Sequence, residues 1–154
     1  RSEKRIERTI YEAEHAYLNL FDALGKYKRG VNYMPFEEAS GRMTICNLGG
    51  HKDNYAEWNK VFSKKGGKYK MVISYVPADN TTSSIKGREV KDRCLEVTVN
   101  GTRTDFKSLE TNRSKGMQKV EFMIELQPGY NVIRMGSRLT WTPDIDCFTI
   151  EKVG

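Results

Sequence analysis

Three stretches of the chain alternate apolar and polar side chains. Tyr69, Met71, Ile73 and Tyr75 alternate with Lys70, Val72 and Ser74; Leu95, Val97 and Val99 alternate with Glu96 and Thr98; Val120, Phe122, Ile124 and Leu126 fall on one face of a third run. A period of two is the signature of a strand with one buried face, and each run is too short for an amphipathic helix. Asn100-Gly101 directly follows Val99 and supplies the two residues that tolerate positive φ in a type I′ turn, so Arg93–Phe106 reads as a β-hairpin. Met43–Cys46 makes at most one short strand. Tyr55–Phe62 alternates with Ala56, Trp58, Lys60 and Phe62 on one face, and Trp58 is read as a core residue. A further strand starts at Asn131, after the Pro128-Gly129 turn, and the last runs from Ile145 to Lys152 with Asp146, Phe148 and Ile150 sharing a face. Half-buried strands joined by turns need a second sheet to cover them. The expected fold class is therefore all-β, an antiparallel β-sandwich or jelly roll.

One segment is ambiguous. Ile6, Ile10, Ala13, Tyr17, Phe21 and Leu24 recur at helical intervals, whereas Thr9–Glu14 also reads as a short strand with Ile10, Glu12 and Glu14 on one side. Period alone leaves both open. Residues 30–50 read as loop, broken by Pro35, Gly41, Gly49 and Gly50. Pro77–Lys91 reads as a polar connection and the expected mobile segment, and Lys107–Gly116 as a second polar loop.

The length of 154 residues implies one domain with one core. The division expected is a leader or linker over 1–8 and a β-sandwich over 9–154. The net charge of +6 is dispersed: Arg1, Lys4, Arg5 and Arg8 at the start, Lys64, Lys65, Lys68 and Lys70 near a Gly-Gly turn, Arg134 and Arg138 far downstream. With no nucleic-acid module beside it, this charge reads as solvated surface, and no nucleic-acid partner is expected. Cys46, Cys94 and Cys147 are odd in number and contain no Cys-x-x-Cys pair, so at least one thiol stays free and buried small hydrophobes are favoured over a disulfide. No apolar run is long enough for a membrane span, and the charged opening lacks the apolar core of a signal peptide. His15 and His51 have no matching Ser or Cys arrangement, which argues against a hydrolase.

Tyr11-Glu12-Ala13-Glu14-His15-Ala16, the run Gly67–Tyr75, Arg93-x-Leu95-x-Val97-x-Val99-Asn100-Gly101, Leu126-x-Pro128-Gly129-x-Asn131-x-Ile133 and Asp144-Ile145-Asp146 occur in an order that resembles calcium-binding β-sandwich carbohydrate-binding modules of families 6 and 35, which are galactose-binding-domain-like. The resemblance runs from Ile10 onward. Asn47-Leu48-Gly49-Gly50 with Asn54-Tyr55 looks most like the modules appended to α-galactosidase-like family 27 glycoside hydrolases. It implies that Glu12-Ala13-Glu14 is a first strand whose two carboxylates face a structural Ca²⁺, with Asp146 as a third acidic ligand and carbonyls near Gly41 completing the shell.

The resemblance also implies a loop-lined glycan site at one end of the sandwich. Asn47, Asp144, Trp141 and Tyr33 are the candidates: an amide and a carboxylate for hydroxyls, and two rings for a sugar face. The aromatics of the family's pattern are absent near Asn47 and Met117. The function implied is a non-catalytic module that targets a linked catalytic domain to glycans, α-galactosides among them, in a secreted, periplasmic or cell-surface setting. The alternative is an accessory domain that packs on its enzyme and has lost its sugar.

Overall fold

The computed structural model describes residues 9–19, 31–46, 48–77, 83–85, 88–90, 93–104, 107–109, 113–138 and 140–153, with backbone alone at 83–85, 88–90 and 113. The strands in chain order are β1 (Ile10–Glu12), β2 (Tyr17–Asn19), β3 (Asn32–Pro35), β4 (Met43–Cys46), β5 (Tyr55–Ser63), β6 (Gly67–Val76), β7 (Ser83–Ile85), β8 (Arg88–Val90), β9 (Cys94–Val99), β10 (Thr102–Arg103), β11 (Lys107–Ser108), β12 (Gln118–Leu126), β13 (Gly129–Gly136) and β14 (Asp144–Lys152). The described residues contain no α-helix, only short 3-10 turns at Ala13–His15, Ser40–Arg42 and Arg113–Lys115.

Two antiparallel sheets face each other. The first runs β12-β6-β14-β4-β3, with β1 also paired to β14; the second runs β10-β9-β13-β5-β2, with β11 also paired to β9. The alternating runs place their apolar members between the sheets. Tyr69, Met71, Ile73 and Tyr75 from β6 and Phe122, Ile124 and Leu126 from β12 line one wall, while Leu95, Val97 and Val99 from β9 and Ile133 and Met135 from β13 line the other. Phe148 is fully buried at the centre, stacked on Tyr11 at 5.0 Å between ring centres and edge-on to Trp58 at 5.0 Å. Thr102 pairs with Val99, and both Asn100 (φ 50°) and Gly101 (φ 86°) are left-handed, as the Asn-Gly turn requires.

Several sequence expectations change. Residues 30–50 contain β3, paired along its length with β4, because an edge strand needs only one partner and carries little periodic signal. Pro77–Lys91 holds the paired strands β7 and β8, while residues 78–82, 86, 87 and 91 lie outside the described set, as do the whole leader 1–8 and the part of the helical pattern at Phe21 and Leu24. In β5 one extra residue opposite β13, between Trp58 and Val61, flips the later side chains. Ala56, Trp58, Val61 and Ser63 point inward, and Lys60 and Phe62 do not share the face of Trp58.

Buried Asn131 ties two turns together. Its amide nitrogen reaches the carbonyls of Val61, Gln127 and Gly129 at 3.0–3.1 Å, and its oxygen accepts from Gln127 N (2.9 Å) and Asn100 Nδ2 (2.8 Å). Asn131→Ala is expected to lose about 2–3 kcal/mol in urea unfolding with an unchanged m-value, because it strands several buried polar groups without opening a large cavity. A loss below about 0.5 kcal/mol would show that solvent replaces those bonds.

Candidate metal and ligand site

β1 ends at Glu12, and the chain then enters a 3-10 turn at Ala13–His15. Glu14 therefore does not extend a strand, and the same-face spacing expected of Glu12 and Glu14 is not what joins them. The turn does so instead. A methyl group at Gly41 would stand 2.6 Å from Glu14 Oε1 and 3.2 Å from Glu12 Oε2, so both carboxylates close over a residue that must be glycine, with φ at 70°. Asp146 arrives from the other end of the chain. It is the extra residue of a β-bulge in β14, where Ile145 pairs with Tyr75 and Cys147 with Ser74. The bulge takes Asp146 off the face of Phe148 and Ile150, where simple alternation puts it, and brings it to the Glu12 side.

Ser40 organises the group. Its hydroxyl donates to Glu12 Oε1 (2.5 Å), and its N–H donates to Asp146 Oδ2 (3.1 Å). The remaining oxygens, Glu12 Oε2 and Asp146 Oδ1, are buried with no hydrogen-bond partner among the described residues. Oxygens of Glu12 and Asp146 lie with Cys147 Sγ within 4.8 Å of one another, and among the described residues no Lys or Arg pairs with any of the three acids. Asp146 is 3% exposed. Burial raises its pKa from the ordinary Asp value, the Ser40 N–H opposes this, and the charges of Glu12 and Glu14 add to it.

Two buried orphan oxygens on a cluster of carboxylates fit a hard cation. Ca²⁺ takes oxygen ligands at about 2.3–2.6 Å, so ligands on opposite sides of it are about 5 Å apart. The thiol is a soft donor that suits a hard cation poorly; burial, then the charges of Asp146 and Glu12, push Cys147 up to about 12. All three cysteines are free, with Cys94 and Cys147 buried. Trp58 supports the cluster from the core, its Nε1 donating to the Glu12 carbonyl at 3.0 Å. His15 Nδ1 accepts from Glu12 N (3.1 Å) and His51 Nδ1 from Asp53 N (3.1 Å), so both histidines brace backbone turns.

Three of the ligand candidates lie among the described residues, each in a different setting. Tyr33, 37% exposed, turns toward the acids: its hydroxyl donates to the Ala16 carbonyl, and burial and then Glu14 raise its pKa. Trp141 is only 8% exposed and bridges to Gly49, flanked by Gly50 N to Thr140 O and Thr142 N to Leu48 O, both 2.8 Å. A ring so covered presents little open face for stacking. Asn47 lies outside the described residues. Asp144 is half-buried at the start of β14. After burial, its charge raises the Cys46 thiol; it also opposes the lowering that burial imposes on Arg93. Sequence reasoning missed Arg93 and Ser40. Arg93 had the signal of a cation opening a hairpin, and Ser40 only that of a small polar residue before Gly41.

No protein-family model matches the chain, and no curated protein matches it. Solved structures do. A family 35 carbohydrate-binding module from Clostridium thermocellum matches 93% of this chain and 98% of its own, at 23% identity and a TM-score of 0.73. Its fold is that of the family 35 carbohydrate-binding modules. An exo-β-1,3-galactanase from Phanerochaete chrysosporium, solved with β-1,3-galactotriose, matches 93% of this chain at 21% identity and a TM-score of 0.72, with 29% of its own length covered. A Listeria monocytogenes protein solved with glucose, magnesium and calcium matches 93% at 18% identity and a TM-score of 0.69, over 12% of its length. The match thus spans nearly the whole of the family 35 module but a minor part of the two larger proteins.

Proposed function

We propose that this chain is a non-catalytic carbohydrate-binding module. The observation that carries the reading is the end-to-end match to a family 35 module, over 98% of that module's length. Glycan binding is assigned to the sandwich end, where Asp144 offers acceptors and Arg93 donors to sugar hydroxyls. Trp141 belongs to the wall behind them. Ca²⁺ is assigned to Glu12, Glu14 and Asp146; when bound, it supplies charge compensation and a tie between β1 and β14. The orphan oxygens support this assignment, as does the calcium in the Listeria structure.

The same reading takes the chain to be linked to a glycoside hydrolase, α-galactosidase-like in kind, outside the cell or at its surface. Its benefit to that enzyme is a raised effective concentration at the substrate, which needs no chemistry from the module. The second reading, an accessory domain without a sugar, draws on the burial of Trp141, which withdraws the largest ring of that end from solvent.

Titration calorimetry against glycans that include α-galactosides, with calcium present, tests the choice. Binding with a dissociation constant on the order of micromolar to millimolar is expected, and Asp144→Ala should weaken it about tenfold or more while leaving the melting curve in place. Absence of binding to every glycan at millimolar concentration would move the assignment to the accessory domain.

A further inference from the structure

The first sheet ends on β12. Among the described residues that strand pairs with β6 alone, over nine residues from Gln118 to Leu126 and with no shift of register. Val153 N donates to Lys68 O at 2.9 Å on the β14 side of β6, so the even-numbered residues of β6 bond toward β14 and the odd-numbered ones toward β12. Opposite those odd-numbered residues stand Gln118, Val120, Phe122, Ile124 and Leu126. The N–H and C=O groups of Lys119, Glu121, Met123 and Glu125 therefore point off the edge of the sheet. One of them is occupied. The ammonium of Lys107, reaching across from β11, donates to the Glu121 carbonyl and lies 4.9 Å from the centre of the Phe122 ring. Further along, a groove of about 310 Å³ opens beside the strand, lined by Val99 from the second sheet and by Ile124 and Leu126 from the first.

The side chains of this edge complement themselves. Lys119, Glu121, Met123 and Glu125 are exposed on the outer face, Met123 at 53%, while Phe122, Ile124 and Leu126 are buried and Val120 is only partly covered. A second β12 laid antiparallel to the first, about a two-fold axis at Phe122, sets Lys119 of each copy against Glu125 of the other, and Val120 against Ile124. The residues whose bonding groups point off the edge then face one another, as a ladder requires. A slip of two residues in one direction opposes Glu121 to Glu121, and in the other direction Glu121 to Glu125. Both place like charges together, so the charges select the centred register. The strand also lacks the Pro or bulge that blunts many edges, leaving its charges and Lys107 to guard it.

We propose that β12 is a dimerisation edge whose occupant is a second copy of this chain, paired in the centred register so that the two first sheets continue into one another. Val120 of each copy comes to lie beside Ile124 of the other, at the groove. Lys107 is the latch: it releases the Glu121 carbonyl, which then accepts from Met123 of the second copy. The contact is isologous and closes at two copies, because each chain carries one β12. A pair presents every ligand site twice, which raises avidity on a repeating target. The inference uses neither the sandwich end nor the acidic cluster, so its failure leaves the carbohydrate-binding proposal as it stands.

Sedimentation velocity across about 1–300 µM tests it, with a reversible monomer–dimer equilibrium expected at a dissociation constant on the order of 10–100 µM. Lys119→Glu and Glu125→Lys each alter an exposed side chain, so the melting temperature should hold while dimerisation weakens about tenfold or more. An equimolar mixture of the two variants should regain it, since each reversed charge then meets its opposite in the other chain. Lys107→Ala should dimerise more tightly than the wild type. A monomer at every concentration overturns the proposal, as does a dimer indifferent to both reversals, a mixture that stays monomeric, a weaker dimer in Lys107→Ala, or growth beyond two copies.

Discussion

In calcium, Asp146→Asn is expected to melt about 5–10 °C below the wild type, and in chelator the order should close or reverse. A ligand that binds only the folded state at about 100 times its dissociation constant adds about 2.7 kcal/mol, and each kcal/mol shifts a domain of this size by about 2–4 °C. Asn keeps the shape and the Ser40 contact but removes a charge from beside Glu12 and Glu14. It therefore weakens the cation and, without the cation, relieves a buried repulsion. Gly41→Ala should mimic the loss in calcium, since its methyl group would collide with Glu14 Oε1. Thermal melts followed by circular dichroism, with calcium and with chelator, decide the matter. Wild-type curves that coincide in the two conditions would dismiss the ion.

Phe148→Ala should cost about 3–5 kcal/mol and lower the melting temperature by roughly 8–15 °C, as expected for deletion of a central aromatic side chain. Its effect should reach the acids as well. Phe148 supports Tyr11 and Trp58, and Trp58 holds the Glu12 carbonyl, so the cavity loosens the strand that carries the first carboxylate. Calcium affinity should fall with stability. Trp58→Phe keeps a ring in the core but deletes the N–H to Glu12 together with part of the buried indole, so its cost should exceed the about 1 kcal/mol of the hydrogen bond alone. A Phe148→Ala protein that unfolds within about 1 kcal/mol of wild type would mean that the sheets close over the space.

What the sequence made legible was whatever depends on an undisturbed period of two. β6, β9 and β12 could be read residue by residue, and Asn100-Gly101 fixed the hairpin between β9 and β10 because so few residues accept two consecutive positive φ values. Bulges broke the reading. An extra residue in β5 and another at Asp146 each flip the side chains that follow, and neither carries a distinctive residue type. Glu12, Glu14 and Asp146 were singled out through the resemblance, but the spacing argument for the first two was wrong in detail, since a 3-10 turn brings Glu14 in. The burial of Trp141 was not legible because cover by distant segments, here Leu48–Gly50, leaves no trace in the local pattern.

The pairing of β1 with β14 sets how the domain would respond to tension. The two strands run antiparallel, with Ile10 opposite Thr149, Tyr11 opposite Phe148 and Glu12 opposite Cys147. A pull that separates these strands at their outer ends meets the bond from Ile150 N to the Thr9 carbonyl first, then Ile10 and Thr149, and opens the pairs one after another, as a zip opens. At the closed end of that zip stand Glu12 and Asp146. A cation gripping both would act as its stop, so that tension on the two strands would strain this seam only as far as the ion.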